Sequence, residues 1–327
     1  MYRHGLSALA WLGRRGTLAL PISILLGIGL PFLSAYARPF LTETVFLLLV
    51  LAFLRVDPNA VRLRLSRPRL TLLASFWMAL GVPLLCAGLI ALARPDWMTS
   101  DLAMILFIVT AAPCVMSAPA FIYLMGLDGA LSLTVLITAT AIAPLSAPLM
   151  AEIQAAALPA GTGLHLDGLP LALRLAALLG GSILTAALIR KIAGKTAITE
   201  AKSSIDGLNV LILLFFAIAA MDGVAASFAE RPLFTSALAL ATFAAAFVQI
   251  LITLLLFAPA GIADAFAIAH ATGNRNMGLM VAALGGTLPE LVWLWFALGQ
   301  LPIYMLPFLL KPVARHISAR PVAGITD

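Results

Sequence analysis

Runs of about twenty apolar residues follow one another along the chain, separated by short polar or basic stretches. Each is long enough to cross a bilayer as a helix, which needs about twenty residues. The spans fall at about 17–36, 40–55, 69–93, 101–126, 130–158, 169–190, 207–229, 232–258, 264–286 and 289–312. The pattern predicts an all-α polytopic membrane protein of ten transmembrane helices. The second run is short, which calls for an untilted helix or a misplaced boundary.

Two runs are interrupted. The ninth carries His270-Ala-Thr-Gly-Asn-Arg-Asn-Met-Gly278 at its middle, polar groups that are costly in hydrocarbon. A helix broken there and buried between others makes them tolerable, because freed backbone groups and polar side chains then line a substrate or ion site. The fourth run contains Pro113 and Pro119, each lacking a backbone donor, with Ser117 between them. The longest loop on the outer side, around 158–169, separates two groups of five spans, residues 1–160 and 161–327. An odd number per half requires two inverted five-helix repeats, with broken helices four and nine at equivalent places.

Charge adds orientation. Of the 20 Lys and Arg, fifteen fall on one side of these spans: at the N-terminus, in the second-to-third loop (Arg55, Arg62, Arg64, Arg67, Arg69), in the sixth-to-seventh loop and at the C-terminus. Arg38, Arg94, Arg174 and Arg231 fall on the other, and Arg275 lies inside a span. The positive-inside rule therefore places both termini in the cytoplasm and explains the net charge of +6 without nucleic acid. The 62% hydrophobic content and mean hydropathy of +1.08 exclude an ordinary soluble domain. Arg14-Arg15, the apolar run from Leu18 and Ala35-Tyr36-Ala37 imitate a cleavable leader, but the run is long for one and is read as the first span.

Cys86 and Cys114 both fall in apolar runs, so neither a disulfide nor a metal site is indicated, and no cofactor is implied. His270 reads either as a proton carrier or as a packed neutral ring. Asp222, towards the outer end of the seventh span, is either an intramembrane carboxylate or a loop residue. Glu152, His165 and Asp167 match no metal-ligand spacing and read as a solvated loop. Gln249 reads as a helix-contact amide and Glu290 as an acidic helix start. Ser117, Ser132, Thr138 and Thr140 either line the core or bond back to their own helices.

The stretch from Pro113 to Pro148, with Tyr123-Leu124, Ala130-Leu131-Ser132 and Pro144, and the stretch Thr272-Gly-Asn-Arg-Asn-Met-Gly-Leu279 together resemble the bile acid:sodium symporter family, in a bacterial-type form. The resemblance implies a core domain, about 69–158 plus 232–312, in which helices four and nine cross at their breaks. A panel domain, about 17–55 plus 169–229, would move against it. It also implies where this chain departs. Ala118 and Pro119 stand where sodium-coupled members carry Ser-Asn, Leu136 replaces a Thr that partners Ser132, and Ala271 and Arg275 replace a Glu and a Gln. Asn276 matches a position linked to substrate and crossing contacts.

These departures leave few oxygen ligands for a hard cation. Arg275 adds a permanent positive charge, and two cations 4 Å apart repel by roughly 4 kcal/mol even at an effective dielectric of 20. The expectation is a bacterial inner-membrane secondary transporter of a small organic anion, such as a carboxylate, without the usual sodium sites. Arg275, Asn276, Ser117 and Pro119 would contact substrate, Arg275 alternatively or also satisfying the carbonyls of the broken helices, and Ser132, Asn274, His270 and Gly273 would serve the crossing or ion coupling. Sodium symport through a rearranged site is the alternative within the class. A membrane enzyme or a sensor is the alternative outside it, although no HExxH, GxSxG or paired intramembrane acids occur.

Overall fold

The structure, a computed structural model, describes residues 16–55, 68–160, 162, 166–285 and 288–318. Among them there are helices and turns but no strand beyond one isolated bridge. Seven helical runs are long and apolar enough to cross a membrane: Pro31–Leu54, Pro68–Ala93, Ala130–Ala157, Gly168–Gly194, Lys202–Glu230, Pro232–Ala260 and Glu290–Ser318. The protein is therefore an all-helical integral membrane protein. His165 lies outside the described residues.

In chain order, α1 (Gly16–Gly29) and α2 (Pro31–Ala37) lead through a short 3-10 turn into α3 (Leu41–Arg55). The second crossing run thus begins at Pro31, well before the expected residue 40, and the first helix stops at Gly29. Pro31 explains this, since a proline in the first helical turn sacrifices no hydrogen bond and restarts the helix. α4 (Pro68–Phe76), a π-helical turn (Trp77–Gly81) and α5 (Val82–Ala93) form the next run. Then come α6 (Ser100–Ala111), α7 (Ala118–Leu124), α8 (Ala130–Ala157) and α9 (Gly168–Glu200), which is kinked at Gly194 with φ 79°. The remainder comprises α10 (Lys202–Ala220), α11 (Val224–Glu230), α12 (Pro232–Phe257), α13 (Ile262–Gly273), α14 (Met277–Leu284), α15 (Glu290–Leu298) and α16 (Gln300–Ser318).

Two compact units result. One draws on Met1–Asp57, Leu166–Leu240 and Met277–Gln300, the other on Pro58–His165, Ala241–Asn276 and Leu301–Asp327. In the first, α10 packs on α1, α2 and α3, and α14 packs on α3 and α9. In the second, α8 is the hub, touching α4, the π-turn, α5, α6, α7 and α13. Its sequence explains that position: Ala139, Ala143, Ala147 and Ala151 recur every fourth residue and are at most 1% exposed. Small residues on one helical stripe let backbones approach closely, which is what packs helices in lipid.

Candidate functional site

Both interrupted runs are broken in the structure, and the breaks meet inside the second unit. The fourth run leaves helix after Ala111 and re-enters at Ala118, while the ninth leaves after Gly273 and re-enters at Met277. Cys114 and Arg275 lie side by side as an antiparallel pair. The Val115 N–H donates to the Asn274 carbonyl at 2.8 Å, and the Asn276 N–H to the Pro113 carbonyl at 2.7 Å. Non-helical backbone survives at membrane depth only where its polar groups are satisfied by protein, and here each break supplies the other.

Arg275 is 2% exposed. Its Nε donates to Gln249 Oε1 at 2.9 Å, and Nη1 donates to the carbonyls of Met78 at 3.0 Å and Ala112 at 2.8 Å. No carboxylate pairs with it among the described residues. The charge is held by dipoles instead. Ala112 follows the last turn of α6, where the helix presents the negative end of its macrodipole. Met78 sits in the π-turn, whose wider register changes the carbonyl pairing of an ordinary helix. Nη2 has no hydrogen-bond partner among the described residues.

The neighbouring polar groups divide by accessibility. Asn276 and Ser117 are partly exposed, whereas Pro119, Ser132, His270, Gly273 and Asn274 are buried. Asn274 Nδ2 donates to the His270 carbonyl at 2.8 Å, folding the side chain back over the end of α13. The His270 ring stands edge-on to Phe121, centroids 6.1 Å apart, with neither nitrogen hydrogen-bonded among the described residues. Ser132 Oγ and Thr140 Oγ1 are likewise unpartnered there, while Thr138 bonds back to the Thr134 carbonyl. Gly273 is set by packing: a Cβ would stand 2.4 Å from Ile250 Cγ1 and 2.9 Å from the Ala246 carbonyl oxygen. The Pro119 carbonyl lies close to Gly129, where a Cβ would approach it to 2.6 Å.

The remaining polar candidates lie elsewhere. Asp222 occupies the turn between α10 and α11, within the crossing run Lys202–Glu230, and pairs with Arg38 at 2.9 Å. Its carbonyl accepts the Trp293 indole N–H at 2.8 Å, and the Arg38 guanidinium stacks 4.0 Å from that ring. Glu290 pairs with Arg231 at the surface. Glu152 and Asp167 are exposed, and no metal-ligand cluster occurs among the described residues.

Two partners escape sequence reasoning. Gln249 reads as a contact amide but is the side-chain acceptor for Arg275; a buried guanidinium in need of acceptors was the available signal. Gln154 is buried and donates to Thr110 Oγ1 at 2.8 Å, joining α8 to α6. Compared with known proteins, the chain matches no protein-family model and no curated protein.

Proposed function

We propose that this chain is a secondary transporter of a small organic anion, working by alternating access, in which Arg275 is a cation fixed at the crossing in place of a coupling sodium ion. The observation that carries the reading is the Arg275 guanidinium, bonded to Gln249, Met78 and Ala112 where two broken membrane runs pair. A crossing of two helix breaks gathers carbonyl dipoles that need positive charge. In transporters that charge commonly arrives as an ion, and here the chain supplies it.

Ten spans in inverted halves, with both termini on the cytoplasmic side of a bacterial inner membrane, accommodate this arrangement. So does the resemblance to the bile acid:sodium symporter family at the two breaks. Asn276, next to Arg275 in the ninth break, and Ser117, at the end of the fourth, are polar and partly accessible and are the side chains assigned to substrate. The anion is attracted by the fixed charge, and the core and panel of the implied fold exchange access to it.

Uptake by the purified chain in sealed vesicles tests the reading, with radiolabelled carboxylates of graded size and imposed sodium or proton gradients. The expected result is saturable accumulation of at least one carboxylate without a sodium requirement, reduced by Asn276→Ala. Chemical conversion without accumulation would move the chain to the enzymes. Saturable binding without accumulation would make it a sensor, and strictly sodium-dependent uptake would remove the substituted-cation role.

A further inference from the structure

Within the second unit, α5 and α8 pack against each other, and each ends two residues before a proline. The chain runs Ala91-Leu-Ala-Arg-Pro-Asp96 through the end of α5 and Ala155-Ala-Ala-Leu-Pro-Ala160 through the end of α8. Proline has no backbone N–H, so Pro95 cannot supply the donor that the Ala91 carbonyl would receive in a continuing helix. The last carbonyls of a helix lack partners within it and carry its negative partial charge. A cavity of about 420 Å³ opens at these two ends, lined by Ala91, Arg94 and Asp96 on one side and by residues 156–160 on the other.

Asp96 adds a carboxylate to the two negative helix ends, and Arg94 brings the opposite charge. Neither has an ion-pair partner among the described residues, although only one residue separates them. Arg94 is also held in a left-handed conformation, φ 39° and ψ 59°, and is the one non-glycine residue with positive φ among the described residues. Glycine fills that helix-ending position most readily, because a Cβ there is strained. An arginine standing where glycine would fold more easily points to a use for its side chain. The flanks suit lipid: Leu92 is 85% exposed and Trp97 70%. In a membrane protein such an apolar side chain meets hydrocarbon, and tryptophan favours the boundary with the headgroups.

We infer that this cavity binds the headgroup of a phospholipid that joins a primary ammonium to a phosphate, as phosphatidylethanolamine does. The ammonium donates to Asp96 and to carbonyls at the ends of α5 and α8, and Arg94 donates to the phosphate. A quaternary ammonium has no N–H to donate, and a glycerol headgroup brings no positive charge to the helix ends. The site uses none of the residues at the crossing and does not rest on the transport reading.

The test is native mass spectrometry and thermal melting of the full chain in non-ionic detergent, with phosphatidylethanolamine, phosphatidylcholine and phosphatidylglycerol of identical acyl composition. Phosphatidylethanolamine should be retained at least several-fold more than either of the others and should raise the melting temperature. Asp96→Asn should bring its retention down to the phosphatidylcholine level. Arg94→Gly separates binding from folding: without lipid it should melt higher than the wild type, since the strain is relieved, yet it should retain several-fold less phosphatidylethanolamine. Equal retention of the three lipids by the wild type, or phosphatidylglycerol retained above phosphatidylethanolamine, would overturn the proposal. So would unchanged phosphatidylethanolamine retention in either folded variant. Glycerophosphoethanolamine, the same headgroup without acyl chains, should raise the melting temperature less than the lipid does; an equal rise at equal concentration would overturn the lipid assignment in favour of a soluble zwitterion.

Discussion

Arginine recurs in one role at three places: donating to carbonyls at the C-terminal end of a helix. Arg275 reaches Ala112 beyond α6, Arg174 reaches Leu284 and Gly285 at the end of α14, and Arg190 reaches Phe53 and Leu54 at the end of α3. Those ends carry unsatisfied carbonyls and negative partial charge, which a forked guanidinium satisfies several at a time. Only Arg275 does so while fully within a broken run. Arg275→Lys keeps the charge but not the fork, so an ammonium that keeps the two carbonyls releases Gln249. The expected cost is about 2 kcal/mol, from one or two buried groups left unpaired at ~1–3 kcal/mol each. Arg275→Met should cost more, because all three acceptors lose their donor. Denaturant or thermal unfolding in detergent checks both, and equal stability of the three proteins would remove the tether.

The need for acceptors around Arg275 was legible in the sequence, since a guanidinium in an apolar run must find them. Their identity was not. Backbone carbonyls carry no residue signature, so nothing in the letters marks Met78 or Ala112, and Gln249 is separated from Arg275 by 26 positions.

At the level of elements, the length of the apolar runs marked an all-helical membrane protein, of which seven runs are long enough to cross, and prolines with glycine marked where the fourth and ninth would break. Run length is silent on continuity. It therefore missed the restart at Pro31, the π-turn at Trp77–Gly81 and the extension of α9 past Gly194 to Glu200. The pairing of the breaks depends on close packing of α13 against α12, and Gly273 tests it. Gly273→Ala sets a methyl against Ile250, which can rotate, and against the Ala246 carbonyl, which cannot without moving α12. Because Gln249 lies between those two positions, the shift should loosen its bond to Arg275. A cost of about 1–3 kcal/mol is expected for such overpacking. Gly180→Ala is the control: a Cβ there meets nothing within 4 Å, and removing helical glycine should leave stability unchanged or raise it by up to about 1 kcal/mol. Parallel melting of the two variants checks the difference.

For the whole molecule, the distinctive feature is that a buried cation, without a carboxylate partner among the described residues, joins four helical runs of one unit. α4 and α5 contribute the π-turn between them, α12 contributes Gln249, and the two breaks contribute Ala112 and Arg275 itself. In the proposed role, a charge so placed does locally what a bound ion does elsewhere, drawing two carbonyl dipoles and an amide oxygen to one point, but it cannot dissociate. Stability of the protein should then be indifferent to the monovalent cation supplied. The most direct measurement is the melting temperature of the purified protein in sodium, potassium and choline chloride at matched ionic strength. A ligand that binds only the native state at about one hundred times its dissociation constant adds roughly 2.7 kcal/mol, which such melting resolves. Equal melting in the three salts is the result expected of a fixed cation; stabilisation by sodium alone would show that the crossing still takes an ion and would contradict the role assigned to Arg275.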